Sequence, residues 1–154
     1  MANFIPVHKT KLKEILNTLV WNAETFAQKE LNGQTHIKSF FTTYFDFFPS
    51  IIIFHKTKSS EVANTAENLE KNTYTIRVAN RFQDGKEEQE NDIDNLVSMI
   101  CDILVNNYAK TNSEWENLTN IKVGDYAAND QNTFFFKDIT VELWNFQKRD
   151  LQFL

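Results

Sequence analysis

The sequence predicts one α+β domain over residues 1–154. It is a mostly antiparallel sheet of about five strands with two helices on one face, in the order α-β-β-β-α-β-β. Two stretches carry apolar residues at steps of three and four, as an amphipathic helix does, and two alternate apolar with polar residues, as a half-buried strand does. No linker, repeat or composition break divides the chain. At 154 residues, folding buries roughly 70% of the unfolded surface, so the core needs no disulfide or metal.

The first helix is expected near residues 8–32. Its stripe runs through Leu12, Ile15, Leu16, Leu19, Val20, Ala23, Phe26, Ala27 and Leu31, and Asn32-Gly33 supplies a left-handed stop. Trp21 lies off the stripe, either exposed or against a partner. Residues 36–48 are ambiguous: Ile37, Phe40, Phe41, Tyr44, Phe45 and Phe48 fit helical spacing, but the Thr, Tyr and Phe content and Pro49 favour a strand over 36–44. Ser50 to Phe54 reads as a strand buried on both faces. Lys56 to Glu70 reads as a long polar loop, mobile in the free protein and ordered against a partner.

Thr73 to Phe82 alternates as a half-buried strand, and Asp84-Gly85 provides a turn. The second helix carries Ile93, Leu96, Val97, Ile100, Cys101, Leu104, Val105 and Tyr108 on one face. Glu87, Glu88, Glu90 and Asp92 stand at its start, where the helix dipole favours anions. Trp115, Leu118, Ile121 and Val123 suggest a short strand, and Gly124 to Asn132 a loop. The last strand places Phe134, Phe135, Phe136, Ile139, Val141 and Leu143 on one face and Thr140, Glu142, Trp144 and Phe146 on the other, with a bulge expected near Lys137-Asp138.

Catalytic chemistry finds little support. His8, His36 and His55 fall on different elements without metal-ligand spacing, and read as exposed or edge-strand histidines. Cys101 lies within an apolar stripe, where a thiol is inert. Glycines at 33, 85 and 124 cannot build a phosphate-cradling loop. The acidic run Asp84 to Asp94 lacks the calcium-loop pattern. No enzyme activity, cofactor or metal is therefore expected. The net charge of −5 makes the chain a poor wrapper of nucleic acid, although it suits a conduit that DNA must slide through. The aromatic run 40–48 has only Lys38 beside it and is interrupted by Asp46, so core or subunit interface is preferred to base stacking. Met1 to Lys13 has no continuous apolar run and no stretch could cross a bilayer, so a cytoplasmic origin without membrane association is expected.

Fourteen Phe and three Trp exceed what one small core requires, which points to subunit contacts. The candidate interface residues are Phe40, Phe41, Tyr44, Ser60, Glu61, Asn64, Glu67, Trp144 and Phe146, together with Phe153 and Leu154 of the apolar end Leu151-Gln152-Phe153-Leu154.

Several segments carry a resemblance. After the first helix come Ile37-Lys38-Ser39-Phe40-Phe41, then Phe47-Phe48-Pro49-Ser50-Ile51-Ile52-Ile53 as an aromatic-Pro-small-aliphatic strand entry. A polar loop with Ser60-Glu61 leads to Glu67-Asn68 and to Thr73-Tyr74-Thr75-Ile76-Arg77-Val78. Asp94 to Leu104 follows, with Asp102 at an acidic helix position, and Ile139 to Phe146 closes the pattern. This arrangement resembles the tail terminator (tail completion) proteins of long-tailed bacteriophages.

The resemblance implies a virion protein of the tail or neck, made in the bacterial cytoplasm and forming a ring with itself, usually a hexamer. Such a ring caps the tail-tube protein, joins a head-completion or connector protein, and passes DNA as cargo. Glu87, Glu88 and Glu90 would then be candidates to line the lumen, with helix-capping acids as the rival and preferred explanation. The longer first helix and segment 40–48 depart from the pattern. They keep open another head–tail connector of similar build or a tail-assembly adaptor that never enters the particle.

Overall fold

A computed structural model describes residues 4–64, 66–82, 87–108 and 111–148. The expected turn at Asp84-Gly85 and the terminal candidates Phe153 and Leu154 lie outside the described residues. The elements are α1 (Phe4–Asn17), β1 (Val20–Trp21), β2 (Glu24–Thr25), β3 (Ile37–Lys38), β4 (Ser50–Val62), β5 (Glu67–Arg81), α2 (Glu87–Asn106), β6 (Asn117–Val123), β7 (Ala127–Ala128) and β8 (Phe134–Lys148). One six-stranded sheet runs β3-β4-β5-β8-β6, with β7 also on β8. Every pair in it is antiparallel except β3 with β4. The α+β class is as expected, with about one strand more than the sequence suggested.

The core lies between the two helices and one face of the sheet. Ile53, Ile76 and Ile139 are cross-strand partners, as are Tyr74 and Val141, so all five project to the same side. There they meet Leu12 and Leu16 of α1 and Ile93, Leu96, Ile100 and Leu104 of α2. Their neighbours Ile52, Thr75, Arg77, Asp138 and Thr140 alternate to the opposite, open face. The expectation that residues 50–54 are covered on both faces holds for Ile51, Ile52 and Ile53, which are all buried.

The first helix stops at Asn17, less than half-way along the expected span. Thr18 and Leu19 tighten the last turn with amide bonds to Ile15 and Leu16, and the Thr18 hydroxyl donates to the Ile15 carbonyl at 2.6 Å. Val20, Trp21, Asn22 and Thr25 are weak helix formers. They build instead a two-residue hairpin turn with positive φ at Asn22 (51°) and Ala23 (68°) between β1 and β2. The apolar spacing misleads because Phe26 reaches the core from irregular chain, whereas Val20 and Leu31 are exposed. Trp21 packs half-buried against the core.

Three further expectations are corrected. The strand over 36–44 shrinks to Ile37–Lys38. Residues 39–49 are irregular because Lys38 turns back onto Asp46 at 3.4 Å and Phe45 packs on Phe48 and Phe134. The loop over 56–70, expected to be mobile, is a paired hairpin from His55↔Tyr74 to Val62↔Asn68. Both faces of its β4 arm are solvated, so it shows no apolar alternation, and backbone bonding holds it. The bulge is absent at Lys137-Asp138, where β8 pairs continuously with β5. Register shifts fall instead at His55/Thr57 on β4 and at Thr119/Lys122 on β6, beside Asn120 with φ 55°.

Replacing Ile76 by Ala removes a buried side chain from the middle of the core and is expected to cost about 2–5 kcal/mol in urea unfolding. Val62→Ala on the arm should stay within about 0.5 kcal/mol.

Candidate interaction face

The sheet presents two unlike polar groupings, one on each face. On the helix side, α1 carries His8 into full burial. Its Nε2 lies 3.0 Å from the Glu114 carbonyl and its Nδ1 2.8 Å from the Tyr74 hydroxyl. A carbonyl can only accept, so Nε2 donates to Glu114; burial favours the neutral ring, which leaves Nδ1 to accept from the Tyr74 hydroxyl. Burial lowers the His8 pKa and raises that of Tyr74. His55 packs its ring 5.3 Å from Tyr74 and bonds Asn72 at 2.9 Å. The reading of exposed or edge histidines is thus wrong for His8, and two histidines expected on separate elements meet at one tyrosine. His36 bonds the Pro49 carbonyl and stacks on Phe47.

This cluster ties α1, β5 and the segment before β6 together. Among the described residues no three His, Cys, Asp or Glu side chains gather as a metal site. Burial first, and Asp102 second, push the Cys101 thiol up, so it stays protonated.

The open face is centred on Arg77. Its Nε and Nη2 donate to the two Asp138 oxygens at 2.8 and 3.0 Å, a bidentate pair between cross-strand partners. The guanidinium also lies 3.9 Å from the Phe136 ring centre and 5.2 Å from that of Phe54. Arg77 lines two clefts. One, of about 630 Å³, runs under Tyr44, Phe45 and Phe48 towards Asn129 and Gln131. The other, of about 370 Å³, opens between Lys56 and Lys122.

The expected interface residues divide accordingly. Phe40, Phe41 and Tyr44 are exposed by 52, 60 and 71%, a large apolar surface to leave in water. Phe41 also sets its ring edge-on to Phe54, which places this group over the open face. Trp144 and Phe146 alternate onto the same face at its other end. The Trp144 indole donates to Glu142 at 2.8 Å, Lys71 covers its ring, and Phe146 is exposed. Glu61 shares this face and pairs with Lys71 at 3.4 Å, whereas Ser60 points to the opposite one.

Asn64 and Glu67 build the hairpin turn. Asn64 Oδ1 accepts from the amides of Ala66 and Glu67, both at 2.9 Å. The last strand is corrected, because Phe134 and Phe136 alternate to the open face, away from Phe135 and Ile139. Glu87, Glu88 and Glu90 sit exposed on the first turn of α2, across the sheet from the aromatics. There the Tyr126 hydroxyl donates to Asp94 and to the Glu90 carbonyl.

Sequence reasoning missed Arg77, Asp138, Lys56 and Lys122. The available signal for the first two was a charge of each sign inside strands that alternate apolar with polar residues. It also counted only Lys38 near the aromatics, whereas Arg77 lines the cleft beneath them.

No family model matches the chain, and no curated protein matches it. Among the described residues no helix is long and apolar enough to cross a membrane.

A pH dependence follows from His8. Burial holds its folded pKa below the ordinary histidine value, so the unfolded chain binds more protons as pH falls. Its contribution to stability is full above that value and is lost as pH drops through the folded value. Urea unfolding at neutral and mildly acidic pH should therefore show a larger loss for the parent than for His8→Gln; equal losses would contradict the assignment.

Proposed function

We propose that the protein is a structural assembly subunit whose work is done by contact with copies of itself and with neighbouring proteins. The carrying observation is the pair of unlike sheet edges joined to an aromatic open face. Among the described residues, β4 pairs outward only at Ile51 and Ile52, which leaves the rest of that strand as one free edge; β6 forms the other. A closed ring needs two different complementary surfaces on each subunit, and two unlike edges supply a basis for them. Phe40, Phe41 and Tyr44 at one end of the open face and Trp144 and Phe146 at the other supply apolar area of the kind that interfaces bury.

The finer reading follows the resemblance to phage tail terminators. The protein is a virion component of the neck that forms a ring, of which a hexamer is the expected size. The ring caps the tail tube, joins the tail to the head connector and lets DNA through, with no reaction of its own. The resemblance rests on the order of the elements and on the Phe47-to-Ile53 strand entry, which leads into β4.

Size-exclusion chromatography with light scattering, and mass spectrometry of purified virions, test this reading. The expected outcome is an oligomer several times the 18.1 kDa chain mass, and its presence in the particle. Phe40→Ser with Phe41→Ser should weaken the association at least about tenfold, because exposed aromatics dominate such interfaces. A strict monomer that is absent from virions would overturn the reading, and an adaptor that never enters the particle would give that result.

A further inference from the structure

The smaller open-face cleft is built from four strands. Phe54, Thr75, Thr140 and Lys122 are successive cross-strand partners on β4, β5, β8 and β6, so they form one row on one face. Arg77 and Asp138 stand in the next row of β5 and β8. The irregularity between His55 and Thr57 adds a residue to β4 at Lys56, which lines the cleft opposite Lys122.

The charges do not balance. Lys56, Lys122 and Arg77 line the cleft against one carboxylate, Asp138, in a chain whose net charge is −5. Asp138 is already engaged bidentately by Arg77 Nε and Nη2. The remaining Nη1 has no acceptor among the described residues, and neither lysine has a carboxylate within 4.0 Å there.

The floor is polar and equally unspent. The Thr75 hydroxyl has no hydrogen-bond partner among the described residues, and the Thr140 hydroxyl beside it has none either. Both threonines line the cleft, where a ligand can take their hydrogen bonds.

We propose that this cleft is a phosphate-binding site. Lys56 and Lys122 close on the anion from two sides. Thr75, Thr140 and the spare Arg77 nitrogen donate to its oxygens, which accept several charge-assisted hydrogen bonds at once. The phosphate group is either free or carried on a nucleic-acid backbone. The site does not rest on the ring reading, and its failure would leave the test of oligomeric state untouched.

Heteronuclear NMR titration of the full chain at constant ionic strength tests the proposal, with inorganic phosphate and a short single-stranded oligonucleotide as separate probes. Saturable shifts are expected at the amides of Thr75, Lys122, Gly124 and Thr140. The double substitution Lys56→Gln, Lys122→Gln should weaken binding at least about tenfold, since it removes two hydrogen bonds to a charged group. Lys9→Gln, which removes one like charge from α1 across the sheet, should not. Response to phosphate alone identifies a free ligand; tighter binding of the oligonucleotide, with a salt slope reduced in the double variant, identifies a strand. No saturable shift with either probe, or an equal loss in Lys9→Gln, would overturn the proposal.

Discussion

The structure depends on the unbroken antiparallel pairing of β5 with β8, from Glu67↔Lys148 to Arg81↔Phe134. Side chains alternate between faces along both strands, so this register decides which chemistry each face receives. It sends Tyr74, Ile76, Ile139 and Val141 to the helices, and Arg77 and Asp138 together to the open side. A slip of one residue would leave Arg77 among apolar side chains without its carboxylate, at a cost of several kcal/mol.

What is built on that ladder differs from face to face. The helix side closes with apolar packing and one neutral polar knot, in which His8 accepts from Tyr74 and donates to the segment before β6. That knot fixes α1 without a charge in the core. The open side closes only in part. Residues 39–49 cover one end through Phe45 on Phe134, and beyond them the sheet presents Arg77, two lysines that pair with no carboxylate among the described residues, and finally Trp144 and Phe146. The irregularities in β4 and β6 flank this region. Between them the Thr75–Thr140 row lines the cleft.

The fold was legible where burial is one-sided and regular. α2 announces itself because Ile93, Leu96, Val97, Ile100 and Leu104 all reach the core, and the middle of β5 because Tyr74, Ile76 and Val78 do. The end of α1 was not legible, because Phe26 keeps the helical spacing without the helix. Nor was the β4–β5 arm, where both faces meet water and the pairing leaves no trace in hydropathy. The exposed aromatics could be read as surplus from composition. The Arg77 site could not: its partner Asp138 lies 61 positions away, and only the β5–β8 register makes them neighbours.

The register is therefore the claim to test most directly. Cross-strand proton contacts measured by NMR report it residue by residue. Tyr74 is expected to face Val141 and Thr75 to face Thr140, and the ladder to continue without a shift past Arg77 and Asp138. Contacts displaced by one residue anywhere between Thr73 and Val78 would contradict it, because they would exchange the two faces of the sheet.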